Sequence, residues 1–248
     1  MIQIFGIAGI PEIQPHDDLT AAIQQGLRHT QFTLMPGDVL IVTHKIVSKS
    51  EGQLVDLSTI EPSAFALQWA TRWHKDPRQI EVALRESVRI VRMERGVIIG
   101  ETRHGFVCAN AGVDASNVPG ADIVCLLPAD SDASARSLRQ QISADIGFDL
   151  PVIITDSWGR PWREGIVNVA IGVAGLAPLI DYRGQTDAHG LLLQASILAV
   201  ADELAAAAEL VMGKLDAQPV AVIRGYGWHA AAGSGRDLIM DSRRDMFR

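Results

Sequence analysis

Two cysteines among 248 residues are too few for a disulfide framework. Cys108 and Cys125 sit in apolar, strand-like runs and neither belongs to a C-x-x-C pair. Two reduced, buried thiols are therefore expected, not a disulfide or a zinc site. A basic excess is also missing: 22 Lys and Arg against 29 Asp and Glu leave a formal charge of −7. That balance excludes a general nucleic-acid or membrane-surface footprint, so an anion can be held only by local means such as a metal ion, an arginine pair or backbone amides. The longest apolar run, residues 190–213, carries Asp202, Glu203 and Glu209 and does not read as a membrane span. The N-terminal MIQIFGIAGIPEIQPHDD lacks the basic segment of a secretory signal, and a cytoplasmic protein is expected. No repeat, low-complexity tract or linker breaks the chain.

Two nucleotide signatures fail as well. No G-x-x-x-x-G-K-[ST] occurs, which excludes a P-loop. GYGWHA (225–230) imitates G-x-G-x-x-A, but the 18 residues after it supply no second strand for a dinucleotide unit. The histidines at 16, 29, 74, 104, 189 and 229 show no H-x-x-x-H spacing.

What is present is an ordinary globular balance, 48% hydrophobic and 21% charged, with ample core for one large domain or two small lobes. DVLIVTHKIVS (38–48), bounded by Pro36-Gly37, reads as a strand. Asp76-Pro77 reads as an N-cap and first helical position, opening a helix through Ile80 and Leu84. VRIVRM, GVIIGET and GFVCAN, separated by Glu94-Arg95-Gly96 and Arg103-His104-Gly105, read as an antiparallel meander. ADIVCLLP reads as a strand and ASARSLRQQISADIG as a helix ended by Gly147. PVIITD and IVNVAIGVAG are strands, PVAVIRG a late one. Residues 194–213 read as a helix with Ile197, Val200, Leu204, Ala208 and Val211 on one stripe and Asp202 and Glu209 off it. Meanders and isolated helices without regular βαβ alternation predict an α+β fold with mixed or antiparallel sheets.

Three stretches could carry chemistry. NAGVDASN (110–117) follows a strand and presents Asn110, Asp114 and Asn117; alone it could be an Asx turn. VIITDSWGRPWREG (152–165) runs a buried strand into Asp156, which could be a simple cap. Two acid-bearing loops at strand ends also suit a hard cation such as Mg²⁺ or Mn²⁺. Arg160 and Arg163 offer donor forks for carboxylate or phosphate, or else a surface pair with Glu164. Trp158 and Trp162 could wall a ring-shaped ligand or simply pack. In HKIVSKSEG (44–52), Lys45 and Lys49 would share one face of a strand, facing a phosphate or water.

In chain order, GIPEI, GDVLIVTHKIVSKSEG, NAGVDASNV, LLPADSDASARSLR, VIITDSWGRPWREG, VAIGVAGLAPLIDYRGQTD, ADELAAAAELVMG and PVAVIRG resemble the coenzyme F420-0:L-glutamate ligases, also called F420:γ-glutamyl ligases. The resemblance spans nearly the whole chain, so residues 1–248 read as a single ligase domain; two-domain relatives append a flavin-binding domain, and this chain stops before one could begin. It implies a GTP-dependent enzyme that attaches L-glutamate to F420-0 and then a further glutamate through a γ-linkage. It also implies an α+β homodimer using Mg²⁺ or Mn²⁺ and K⁺. Metal ligands carry over to Asp114, Asp156 and Ser157. Nucleotide contacts carry over to Ile10, Pro11, Glu12 and Ile13, to Lys49, to Asn117, and to Met212 and Gly213.

The chain departs from that pattern at three places. His44 and Lys45 replace two small hydroxyl residues that touch the nucleotide in archaeal members. Lys214 stands where an archaeal glutamate helps bind a second metal. DAHGLL (187–192) replaces D-x-Y-G-R, which changes the acceptor pocket. The implied chemistry moves the γ-phosphoryl group to an acceptor carboxylate, after which the amine of glutamate attacks the acyl phosphate. Two other readings remain: a non-catalytic nucleotide- or deazaflavin-binding protein, and an amide ligase for a different acceptor.

Overall fold

The computed structural model describes residues 1–245. From the N-terminus it runs β1 (Gln3–Ile7), α1 (Leu19–His29), β2 (Val39–Thr43), α2 (His44–Ser50), β3 (Leu54–Asp56), α3 (Ala64–Trp73) and α4 (Pro77–Glu86). Then follow β4 (Ser87–Glu94), β5 (Val97–Thr102), β6 (Val107–Ala109), β7 (Ile123–Cys125), α5 (Ser131–Ile146), β8 (Val152–Arg160) and β9 (Arg163–Leu176). β10 (Ile180–Asp181), β11 (Ile197–Leu198), α6 (Val200–Met212), β12 (Val220–Arg224) and β13 (Ala230–Ala231) complete the α+β fold.

A mixed six-stranded sheet in the order β1-β12-β2-β8-β9-β13 forms the centre, with β2 and β8 parallel. Residues 39–42, 152–154 and 220–223 of its middle strands are apolar without a break because both faces are covered there. Leu40, Val42, Val152 and Ile154 point to one core with Ile23 of α1 and Ile142 of α5. Val39, Ile41 and Ile153 point to the other, with Val200, Leu204 and Ala208 of α6. A third core of Leu57, Ala66, Ile80, Val82, Ile98 and Val124 lies under α3 and α4.

Local signals act as expected at several boundaries. The Asp76 side chain accepts from the Arg78 amide and Pro77 starts α4. Gly147, at φ 80°, closes α5 in the left-handed region. Arg95 and Gly96 both have positive φ, the conformation of a tight hairpin turn between β4 and β5. β4, β5 and β6 form the expected meander.

Other boundaries move. The expected strand over 38–48 stops at Thr43, and His44–Ser50 is helical. Its neighbour β12 begins only at Val220, opposite Val42, so a longer β2 would leave unpaired amides on that side. Lys45 and Lys49 therefore share a helix face, not a strand face. The helix expected from 194 begins at Val200, because Ile197 and Leu198 pair with Ile180 and Asp181. Asp202 and Glu209 lie off the buried apolar stripe, as expected, and bond to β9: Asp202 accepts from the Ala170 amide and Glu209 from Asn168. The strand expected over 121–128 is confined to 123–125, where β7 pairs with β3. β8 does not end at Asp156. It continues to Arg160 because residues 163–169 of β9 pair with it, and the polar stretch is one long hairpin.

Candidate functional site

Parallel pairing builds the site. Thr43 and Thr155 are partners in the β2–β8 register, so the next residues along, His44 where α2 begins and Asp156 where β8 continues beside β9, lie side by side. The β8–β9 register shifts there, Ile154 facing Gly172 and Thr155 facing Ala170, which leaves Ile171 as an extra residue. Such a bulge re-aims the side chains beside it. Gly172 is required at that point: a Cβ on it would come within 2.3 Å of the Ser131 carbonyl oxygen.

Asp156 Oδ1 lies 3.2 Å from His44 Nε2 and accepts the Ser157 amide at 2.7 Å, while Oδ2 accepts the Trp158 indole N–H at 2.7 Å. Burial pushes its pKa up, but the His44 charge and these hydrogen bonds prevail, leaving it below the ordinary aspartate value. His44 also contacts the Ser48 hydroxyl at 3.3 Å. No spacing signal marked His44 as an acid's partner, because only the parallel register brings it to Asp156.

Asp114 arrives from another element. Asn110, Ala111 and Gly112 all have positive φ, a left-handed turn that is costly for alanine and redirects the chain. Asp114 then exchanges backbone hydrogen bonds with Cys125 of β7. Its carboxylate accepts from Lys45 Nζ, and from the Ser116 amide and hydroxyl at 2.7 Å each. Burial again raises its pKa, and the Lys45 and Ser116 contacts outweigh that, giving a net lowering. Lys45 donates further to the Ser116 carbonyl oxygen at 2.8 Å. Both acids are thus held as anions against consecutive residues of the first turn of α2.

The remaining expected residues fall into groups. Lys49, almost wholly buried, pairs with exposed Glu12 of the Ile10-Pro11-Glu12-Ile13 turn, whose Ile13 is in the core. Asn117 is exposed in the left-handed region at φ 53°. Met212 is buried at the end of α6; Gly213, at φ 60°, turns the chain so that Lys214 Nζ reaches the Ser157 hydroxyl. Arg160 and Arg163 close the far end of the β8–β9 hairpin. Arg160 Nη2 donates to the Glu164 carbonyl at 3.1 Å, and its buried Nε–H has no hydrogen-bond partner among the described residues. Arg160 thus meets Glu164 through its backbone carbonyl, and the alternative of a surface ion pair with the Glu164 carboxylate is not formed among the described residues. Trp158 packs edge-on against Phe106 at 5.3 Å, whereas Trp162 at the hairpin tip is 81% exposed. Asp187 holds the 187–191 turn by accepting the His189 and Leu191 amides. The two thiols are free and buried; burial, then the Asp156 charge, pushes Cys108 up to about 12.

The chain matches the F420-0:Gamma-glutamyl ligase family over residues 8–225. It belongs to that family. Among similar proteins are three named Coenzyme F420:L-glutamate ligase. The one from Methanothermobacter thermautotrophicus is 44% identical over 250 residues, covering 100% of this chain and 99% of its own. That from Methanopyrus kandleri is 46% identical, covering 96% and 94%. That from Methanocaldococcus jannaschii is 42% identical, covering 88% and 87%. Membership makes the chain a ligase, and its α+β architecture agrees with the family. No helix among the described residues is long and apolar enough to cross a membrane.

The divalent cation expected of the family can be tested against these side chains. Among the described residues no group of three or more His, Cys, Asp or Glu could hold a metal ion. A closed protein cage is therefore not on offer. Mg²⁺, however, is commonly held by one or two carboxylates with substrate phosphates and water completing its shell. Asp114 and Asp156, two anionic carboxylates at one helix turn, fit that second kind of site.

Proposed function

We propose that this ligase couples GTP to the joining of L-glutamate to F420-0, and then to a further γ-linked glutamate. The observation that carries the reading is the pair of acids, Asp114 and Asp156, both held ionised and both set against His44 and Lys45. Mg²⁺ or Mn²⁺ held between these acids and nucleotide phosphates would supply charge neutralisation for phosphoryl transfer. Ser157, the third expected ligand, adjoins Asp156. Ile10 to Ile13, Lys49, Asn117, Met212 and Gly213 form the nucleotide-binding set, with Lys49 as a point charge for phosphate. K⁺ is a further expected ion, with no residue assigned to it.

In the reaction, a carboxylate oxygen of the acceptor bonds to the γ-phosphorus as the bond to GDP breaks. The free amine of glutamate then attacks the acyl carbon; phosphate leaves and the nitrogen loses a proton, forming the amide. Lys45 and Lys49 are assigned to the phosphate charge, as ammonium groups beside Asp114 and Glu12. Arg160, with an unused buried donor, and Arg163 are assigned to the acceptor carboxylate or the transferring phosphoryl group. His44 keeps Asp156 oriented. The altered 187–192 turn, with Leu191 and Leu192 exposed, belongs to the acceptor side. The enzyme acts on small molecules in the cytoplasm, without nucleic acid or membrane, as a homodimer; exposed Leu210, Leu215 and Ile166 supply apolar surface for a partner copy.

The test follows phosphate release from GTP together with mass spectrometry of the products. Release that needs both F420-0 and glutamate, with a mass gain of one or more glutamyl units, is expected. Nucleotide binding without turnover would instead identify a non-catalytic binding protein, and turnover with another acceptor or amino acid a different amide ligase.

A further inference from the structure

Ser157, Asn168, Glu209 and Lys214 close a ring of polar contacts. The Ser157 hydroxyl donates to Asn168 Oδ1 at 2.6 Å, and Asn168 Nδ2 donates to Glu209 Oε2 at 2.8 Å. Glu209 Oε1 lies 3.7 Å from Lys214 Nζ, which donates to Ser157 Oγ. Asn168 is only 2% exposed, so neither end of its amide can turn to water instead.

The direction of each contact follows from its neighbours. An ionised carboxylate only accepts, so Asn168 must present its amide hydrogens to Glu209. Its oxygen then faces Ser157, and the serine must give its single hydroxyl proton to that oxygen. What remains on Ser157 Oγ is lone-pair density. Ser157 Oγ and Glu209 Oε1 therefore form an oxygen pair built for a cation, and the chain brings its own. Lys214 reaches the pair because Gly213, left-handed at φ 60°, turns the backbone sharply at the end of α6. A Cβ on Gly213 would come within 2.3 Å of Asp216 Oδ2, so the turn is packed as well as bent.

We infer that Lys214 is the resident cation of this half of the site. Its ammonium occupies the oxygen pair of Ser157 and Glu209 and excludes a divalent ion from it, leaving Asp114 and Asp156 as the metal-binding half. The inference rests on the proposed ligase reading for the meaning of the site, but not for its test. Ser157 then contributes as a hydrogen-bond acceptor for Lys214, not as a metal ligand. Lys214 is a positioning residue: it fixes Ser157, which adjoins Asp156, and places one permanent positive charge beside the proposed phosphate path. An ammonium cannot be stripped by a chelator, so this half keeps its charge at any metal concentration.

The experiment counts Mn²⁺ bound per chain by electron paramagnetic resonance, without nucleotide or turnover. Wild-type protein is compared with Lys214→Ala, and with Lys214→Ala combined with Glu209→Gln. Lys214→Ala is expected to bind one more Mn²⁺ than wild type, and the double variant to lose that extra ion. Equal counts for wild type and a Lys214→Ala protein with a wild-type circular dichroism spectrum would overturn the inference. So would an extra ion that survives Glu209→Gln. Should Lys214→Ala misfold, Lys214→Met, which keeps the length without the charge, is counted in its place under the same criterion. The outcome is separable from the fate of the ligase proposal. If wild type binds no Mn²⁺ and Lys214→Ala binds one, the assignment of Asp114 and Asp156 fails while that of Lys214 stands.

Discussion

Replacing Asp156 by asparagine keeps the side chain's shape and removes its charge, and the structure sets the size of the result. The carboxylate accepts from two groups that can only donate, the Ser157 amide and the Trp158 indole, and its Oδ1 also lies 3.2 Å from His44 Nε2. Those donors approach different oxygens, and an asparagine has a single acceptor oxygen. One of the two must therefore face an NH₂ group. An unsatisfied buried donor costs about 1–3 kcal/mol. In a chain of this length each kcal/mol moves Tm by roughly 2–4 °C, so a fall of roughly 2–12 °C is expected. Relief of the carboxylate's desolvation works against this and favours the lower part of the range. Metal affinity should fall further in relative terms. A charge-assisted contact is worth ~1.5–3 kcal/mol, so losing the anion weakens Mn²⁺ binding roughly 10- to 150-fold. A thermal melt and a Mn²⁺ titration on the same preparation check both figures. An Asp156→Asn protein that melts within a degree of wild type and binds Mn²⁺ with unchanged affinity would refute the account of this carboxylate.

Arg163→Ala should lower kcat/KM roughly 10- to 150-fold, the worth of one charge-assisted contact; unchanged kcat/KM for GTP and acceptor alike would leave Arg163 an ornament of the hairpin tip. Arg224→Ala should melt lower by several degrees. It strips a bidentate partner from Asp38, which is fully buried, and removes the guanidinium from the faces of Phe5 and Phe32. Breaking a buried pair costs about 3–5 kcal/mol, reduced here because Arg224 is itself partly solvated. A shift below about 2 °C would contradict the pairing. Cys108, raised by burial and the Asp156 charge to about 12, should resist iodoacetamide at pH 8 in the native protein and react once unfolded. The folded state's preference for the protonated thiol holds fully below its ordinary value of 9.0 and is lost as the pH rises to about 12. Rapid native alkylation at pH 8 would show the thiol to be exposed.

By itself the sequence determined whatever depends on a few neighbouring residues. Asp76-Pro77 and Gly147 marked helix ends because a cap or a left-handed stop acts within one turn. Arg95-Gly96 marked a hairpin because positive φ is a local demand. The acids of NAGVDASN and VIITDSWG stood out for the same reason, as polar groups ending apolar runs. The motif order along the chain was legible too, and it pointed to the family that residues 8–225 match. Tertiary structure decided the partners. Only the parallel register of β2 with β8 sets His44 beside Asp156, and a strand read alone does not show which strand lies next to it. The switch to helix at His44 depends on where β12 begins, nearly 180 residues later. The polar stretch after Asp156 became a strand because β9 pairs with it, against the expectation that it would loop. Lys214 meets Ser157 across 57 residues, and Asn168 meets Glu209 across 41. Such contacts depend on the relative placement of whole elements, and that placement is settled by burying the apolar faces of β2, β8, α5 and α6 together, a constraint spread over the entire chain.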